Sequence, residues 1–269
     1  MSDSTLEPGT GWTSHGALSF LMDHDPRSST RPLVVVLHGA LRNSETTRAW
    51  HPLLAERFDV LFVDLPGHGY SPADGEPSIP AFILRFREFI RRHLAHRAFV
   101  IVGESVGGLV GLGVADGSLP CVKGVIAADP PMSTAKQWPI YSNFLHRAKT
   151  RPIGDYLMTF FRNAFGFTLD GVMTDRLYYP LVARVKVPAL ILTGDLPLFP
   201  VRSLPGIPCL IDDVDRTIIA AFANPNVAMK TIKDAGHLCL DASKADARAF
   251  VSEFCAARLL APEAQRAAG

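Results

Sequence analysis

Residues 100–108 read Val-Ile-Val-Gly-Glu-Ser-Val-Gly-Gly, and this stretch decides the fold. An apolar, β-branched run ends in the pattern Gly-x-Ser-x-Gly, centred on Ser105, and a helix-like segment follows. The pattern is typical of a serine held at a tight turn between a strand and a helix. A serine with a positive φ crowds the chain two residues before and after it, and Gly103 and Gly107 relieve that crowding. The stretch therefore predicts that the Ser105 hydroxyl stands above a sheet, beside the amino end of a helix.

Short apolar runs bounded by loop residues recur along the chain, as is typical of parallel strands buried on both faces. The runs are residues 33–37, 61–63, 99–102, 125–128 and 189–192. Between them, apolar residues recur at helical spacing, most clearly over residues 79–94. This alternation predicts an α/β fold, in which right-handed crossovers connect the strands of one sheet.

Residues 131–187 interrupt the alternation, because they hold many aromatic residues and no clear buried strand. We interpret them as a small helical cap inserted into a core that consists of residues 1–130 and 188–269. Such a cap would cover the carboxyl ends of the strands, which is the edge where ligands bind in open α/β sheets. The aromatic residues could line an apolar pocket or form the core of the cap itself, and the sequence favours both equally.

The bulk composition excludes several classes of protein. The net charge of +1 gives no indication of a nucleic-acid partner. Four scattered cysteines without a Cys-x-x-Cys pair argue against a disulfide framework or a zinc site, so we expect no metal. No apolar run approaches the roughly 18 residues of a membrane span, and the amino terminus does not resemble a signal peptide. We therefore expect a cytoplasmic protein whose partner is a small-molecule substrate, while the oligomeric state stays open.

A serine hydroxyl is a weak nucleophile at neutral pH and needs a base to take its proton. Among nine histidines, His237 is the best placed, because it follows the partly apolar run 227–232 near the end of the chain. A histidine on a loop after the last strand can reach over Ser105. His38 and His68 lie in glycine-containing turns, where we expect them to stabilise loops.

The base needs a carboxylate that holds its tautomer. Asp195 directly follows a buried strand and a glycine, and it lies between the serine and the histidine in chain order, so it is the favoured candidate. Asp213, where helix capping is the ordinary role, and Asp129, at the end of an earlier strand, stay open as alternatives. The oxyanion needs preorganised donors, and we expect the backbone N–H groups of Ala40 and Val106 to supply them.

Five motifs follow one another along about residues 15–258. They are His-Gly at 38–39, Asp-Leu-Pro-Gly-His-Gly-Tyr-Ser at 64–71, Gly-Glu-Ser-Val-Gly-Gly at 103–108, Thr-Gly-Asp at 193–195 and Gly-His at 236–237. Together they resemble the α/β-hydrolase superfamily, in its serine-nucleophile, esterase-like branch. The resemblance implies an α/β-hydrolase fold, with a mostly parallel eight-stranded sheet flanked by helices and a small helical cap between the sixth and seventh strands. It also implies hydrolysis without a cofactor.

One position departs from the pattern of that superfamily. Its members often place the acid three residues after the glycine of the seventh strand, but that position is Pro197 here, and Asp195 comes at once after Gly194. The leading hypothesis is a serine hydrolase that cleaves a carboxylic ester or related acyl bond through an acyl-enzyme. The alternatives are a carbon–carbon bond hydrolase of ring-cleavage products and a non-catalytic small-molecule-binding protein of the same fold.

Overall fold

The computed structural model describes residues 6–23, 29–134, 136–150, 153–197 and 207–260. Its eight strands, in chain order, are β1 (Glu7–Thr13), β2 (Gly16–Met22), β3 (Leu33–Leu37), β4 (Asp59–Val63), β5 (Phe99–Glu104), β6 (Val122–Ala128), β7 (Ala189–Gly194) and β8 (Val227–Ile232). They form one sheet in the order β1-β2-β4-β3-β5-β6-β7-β8. The β1–β2 and β2–β4 pairs are antiparallel, and the strands from β4 to β8 pair in parallel. The mostly parallel, eight-stranded sheet that the sequence predicts is thus confirmed.

Helices follow most of the strands. In chain order the α-helices of the described residues are α1 (Ser44–Thr47), α2 (His51–Leu54), α3 (Ile79–Phe89), α4 (Val106–Val114), α5 (Trp138–Thr150), α6 (Asp155–Phe165), α7 (Tyr179–Ala183), α8 (Asp213–Ala221) and α9 (Ala245–Leu259). A π-helical turn (Ile90–Leu94) extends α3, and a 3-10 turn (Arg48–Trp50) joins α1 to α2. In the part of the chain that is described, no helix is long and apolar enough to cross a membrane.

The sheet carries a core on each face, because successive side chains of a strand point to opposite sides. In β3, Val35 belongs to the core under α3 and α4, whereas Val34 and Val36 belong to the core that includes the buried side of α9. Every residue of β3, β4 and β5 is buried, which explains the apolar runs at residues 33–37, 61–63 and 99–102 of the sequence. Because both faces of the sheet are packed, the strand ends that carry the candidate site are held in place.

Helices α5, α6 and α7 lie between β6 and β7, within residues 131–187, and we call these residues the insertion. Its phenylalanine rings pack on one another and on α3, where Phe82 and Phe160 stack with ring centroids 5.1 Å apart. The insertion thereby shares the core of α3 and α4. The division into a core (1–130 and 188–269) and a cap (131–187) stays a prediction.

Candidate active site

Ser105 lies at the turn between β5 and α4, with φ 53° and ψ −114°. Such a conformation is sparsely populated by residues other than glycine. An ideal Cβ atom on Gly103 would lie 2.3 Å from the Gly107 carbonyl oxygen, and one on Gly107 would lie 2.5 Å from the Leu37 carbonyl oxygen. Only glycine fits at these two places. Because Ser105 lies between the end of β5 and the start of α4, the predicted strand–turn–helix geometry is present.

His237 lies on the loop after β8, where its backbone N–H donates to the Ile207 carbonyl at 2.8 Å. Its Nδ1 atom is 2.7 Å from Oδ2 of Asp129, which leaves Nε2 as the ring nitrogen that can accept a proton. Ser105 and His237 both line one cavity of about 310 Å³. Among the described residues, no hydrogen bond joins the side chains of Ser105 and His237.

Asp129 follows β6, is fully buried, and has a φ of 43°. Besides His237, its carboxylate accepts hydrogen bonds from Leu210 N at 2.7 Å, from Ile211 N at 3.2 Å and from the Thr193 hydroxyl at 3.1 Å. Donors from β7, from the segment before α8 and from the histidine loop therefore converge on one carboxylate. This network can orient the His237 ring and compensate the burial of a negative charge.

Asp195, the acid favoured by the sequence, does not contact His237 in this structure. It is exposed, and its carboxylate accepts from Ala235 N at 3.3 Å. Asp213, one of the two alternatives, has a fully exposed side chain that faces Arg216. The histidine partner is therefore corrected from Asp195 to Asp129. The physical reason is strand position, because β6 lies beside β5 in the sheet and β7 lies one strand further away from Ser105.

The loop after β3 passes close to the serine. An ideal Cβ atom on Gly39 would lie only 3.2 Å from Cβ of Ser105, and Ala40 lines the cavity. Val106 is the first residue of α4, so its N–H has no carbonyl partner within its own helix. Both residues are thus close to the serine, and the role of their N–H groups as oxyanion donors stays a prediction.

His38 and His68 stabilise loops, as the sequence predicts. His38 is fully buried, and its Nδ1–H donates to the Gly39 carbonyl at 2.7 Å while its Nε2 accepts from Leu65 N at 2.9 Å. Burial lowers the pKa of His38 to about 3. Burial likewise lowers the pKa of His68, whose Nδ1–H donates to the Pro66 carbonyl at 3.0 Å. Both rings are neutral at pH 7, and neither is a lining residue of the cavity.

An ion pair that involves the residue directly before Ser105 in the chain was missed from the sequence. Glu104 is buried, and Nη1 of Arg42 lies 2.8 Å and 2.9 Å from its two carboxylate oxygens. Burial raises the pKa of Glu104, and Arg42 opposes that shift. The pair fastens the loop that carries Ala40 to the end of β5. A glutamate at the buried end of an apolar strand is the available signal, because a buried carboxylate requires a partner.

The insertion supplies one wall of the cavity, through Gln137, Ile140, Phe161, Phe165 and Phe167. The three phenylalanines contact one another, with ring centroids between 5.5 Å and 6.3 Å apart. The aromatic residues therefore both form the core of the insertion and line the cavity. In the described ranges, no group of three or more His, Cys, Asp or Glu side chains could hold a metal ion.

The chain is similar to known proteins over most of its length. The model of the alpha/beta hydrolase family matches residues 34–253. A serine hydrolase-like protein of Homo sapiens is 37% identical over 83 residues, which are 30% of this chain and 40% of that protein. A pimeloyl-acyl-carrier-protein methyl ester esterase of Xanthomonas oryzae pv. oryzae is 33% identical over 111 residues, which are 40% of this chain and 41% of the esterase. The matches span less than half of each of these curated relatives.

Solved structures show the same architecture. VinJ superposes with a TM-score of 0.68 at 15% identity, covering 94% of this chain and 99% of VinJ. An esterase of Pyrococcus furiosus superposes with a TM-score of 0.68 at 17% identity, covering 94% of this chain and 91% of the esterase. At these identities the likeness concerns the fold alone.

Proposed function

Because this chain belongs to the alpha/beta hydrolase family, we propose that it is a serine hydrolase, which cleaves a carboxylic ester or related acyl bond of a small molecule through an acyl-enzyme. The observation that supports the proposal most is one shared cavity. Ser105 and His237 line it together, and Asp129 holds the Nδ1 side of the imidazole at 2.7 Å.

In the proposed mechanism, Ser105 Oγ attacks the substrate carbonyl while His237 Nε2 takes the hydroxyl proton. Asp129 keeps the ring in the tautomer that bears its proton on Nδ1 and stabilises the imidazolium that forms. The N–H groups of Ala40 and Val106 donate to the oxyanion. His237 then protonates the leaving alcohol, and a water molecule deprotonated by the same ring hydrolyses the acyl-enzyme.

The cavity favours an uncharged, apolar acyl group. Phe161, Phe165 and Phe167 supply aromatic surface, while Arg42 and Glu104 neutralise each other across their ion pair. Burial of each methylene group contributes about 0.8 kcal/mol, so kcat/KM should rise about fourfold per methylene until the cavity of about 310 Å³ is filled.

The same aromatic wall keeps one second candidate open, namely hydrolysis of a carbon–carbon bond in a ring-cleavage product. The two candidates are separated by comparing turnover of p-nitrophenyl esters with turnover of vinylogous diketone acids. Faster hydrolysis of the diketone acids would favour the second candidate. Tight ligand binding without hydrolysis of either class would indicate a binding protein instead.

The proposal is tested with a fluorophosphonate probe, which reacts with activated serine hydroxyls. We expect one adduct on Ser105, loss of the adduct in Ser105→Ala, and strong reduction in His237→Asn. Ser142→Ala is the matched control, because Ser142 lies exposed on the insertion, and it should label like the unmodified protein. Folded protein that hydrolyses p-nitrophenyl esters and carries no adduct on Ser105 would overturn the proposal.

A further inference from the structure

A fully buried carboxylate that the proposed chemistry does not use lies at Asp215, in the first turn of α8. It accepts hydrogen bonds from Lys136 Nζ at 2.5 Å, from the Tyr179 hydroxyl at 2.5 Å and from Asp212 N at 2.9 Å. The bond from Asp212 N belongs to the capping box at the start of α8. Capping therefore explains one of the three bonds and leaves the two side-chain donors to be explained.

The two side-chain donors come from opposite ends of the insertion. Lys136 lies two residues before α5, at the entry of the insertion, and Tyr179 is the first residue of α7, near its exit. Asp215 lies on α8, after β7 and outside the insertion. One carboxylate thus fastens both ends of the insertion to the sheet-bearing part of the chain.

We call the contacts of Asp215 with the two ends of the insertion the junction, and their loss should be energetically costly. A buried carboxylate is costly unless it is paired, and removal of a partner leaves an uncompensated charge. Lys136 supplies the only cation that contacts Asp215 in the described residues, and it also lies 2.6 Å from Asp212. Burial and the Asp215 carboxylate raise the pKa of Tyr179, so its hydroxyl keeps the proton that it donates. Asp215 is satisfied when both ends of the insertion are in place.

The junction is continuous with the cavity. Gln137, which directly follows Lys136, lines the cavity. Leu210 also lines it, and its N–H donates to Asp129 a few residues before the start of α8. If the contacts of Asp215 were lost, the residues of the insertion that line the cavity would therefore move first. The chemistry at Ser105 would be affected only through Asp129.

We propose that Asp215 is a positioning residue. It holds the insertion in the position, relative to the sheet, that shapes the acyl end of the substrate cavity. The inference rests on the proposed function, because it takes the cavity to bind the acyl group. It further means that Asp215 governs binding of acyl groups long enough to touch the insertion, and leaves short acyl groups unaffected.

The test compares p-nitrophenyl acetate with p-nitrophenyl octanoate in the full chain. In Asp215→Asn we expect KM for the octanoate ester to rise about tenfold or more, because a small displacement of a binding wall is costly. The kcat/KM for the acetate ester should stay within about twofold. Tyr179→Phe, which releases one end and leaves the ion pair with Lys136 in place, should shift the same ratio in the same direction by less.

Asp213→Asn is the matched control, since this neighbouring carboxylate of α8 is fully exposed, and it should leave both substrates unchanged. An equal fall in kcat for both esters, or an unchanged octanoate KM in Asp215→Asn, would overturn the inference. If Asp215→Asn does not fold, the Tyr179→Phe ratio decides. Calorimetric titration of octanoate into Ser105→Ala, with and without Tyr179→Phe, measures binding affinity without turnover. It therefore separates failure of this inference from failure of the proposed function.

Discussion

Replacement of Asp129 by asparagine removes the charge next to His237 and disturbs four hydrogen bonds at once. The Oδ2 position accepts from His237 Nδ1 and from Leu210 N, and the Oδ1 position accepts from Ile211 N and the Thr193 hydroxyl. Whichever way the amide turns, its NH₂ group faces at least one N–H donor. If the amide oxygen faces the ring, the bond survives without the charge that stabilises the imidazolium.

Under the proposed mechanism the expected loss is about 10⁴-fold in kcat, the magnitude found when the acid of a Ser-His-Asp triad is replaced by its amide. This corresponds to about 5.4 kcal/mol of transition-state stabilisation. Disturbed backbone donors should also lower the free energy of unfolding by about 1–3 kcal/mol, so urea denaturation is measured alongside.

The assay is steady-state hydrolysis of p-nitrophenyl butyrate, with Asp195→Asn as the control. Asp195 is exposed and accepts one bond of 3.3 Å from Ala235 N, so this variant should lose less than about threefold in kcat. The reasoning is refuted if Asp195→Asn abolishes turnover and folded Asp129→Asn retains it.

Three further expectations concern the surroundings of the site. Burial lowers the pKa of His38 from 6.5 to about 3, so between these values the unfolded chain binds a proton that the folded chain does not. The free energy of unfolding should therefore fall as the pH drops below 6.5, by up to about 1.4 kcal/mol per pH unit from this residue. In urea titrations, the free energy of unfolding of His38→Gln should depend less steeply on pH, and an unchanged slope would contradict this expectation. Arg42→Met leaves the buried Glu104 carboxylate unpaired, so it should lower the free energy of unfolding by about 3 kcal/mol in urea denaturation. Adding Glu104→Gln should restore part of the loss, and a double variant that is less stable than Arg42→Met would count against the pairing. Gly107→Ala should cost about 1–3 kcal/mol or prevent folding, because its Cβ would lie 2.5 Å from a backbone oxygen. At Gly154, the N-cap residue of α6, an added Cβ meets nothing within 4 Å, so Gly154→Ala should cost only the lost capping preference, about 1 kcal/mol or less; equal melting temperatures for the two would refute the steric argument.

Much of the fold could be predicted from the sequence, because the deciding patterns are local. The apolar run at residues 33–37 coincides with β3, and Gly103 is required by its close approach to the Gly107 carbonyl within the turn itself. The loop position of His237 after the last strand was likewise readable from chain order. In each case a few neighbouring residues determine the backbone.

The partner of His237 could not be read in this way. Asp129 and Asp195 both follow buried strands, and the choice between them depends on which carboxylate faces the histidine loop across the sheet. That is a relation between segments 108 residues apart. The departure from the usual spacing at Pro197 was the available signal against Asp195. The Arg42–Glu104 pair is also non-local, because it joins the loop after β3 to the end of the neighbouring strand β5.

The proposed role of Ser105 as the nucleophile is tested most directly by intact-protein and peptide mass spectrometry after rapid mixing with p-nitrophenyl octanoate and acid quenching. We expect a mass increase equal to one octanoyl group, located on the peptide that contains Ser105 and absent from Ser105→Ala. Turnover at the unmodified rate in Ser105→Ala, or an octanoyl group on a different residue, would contradict the assignment of Ser105.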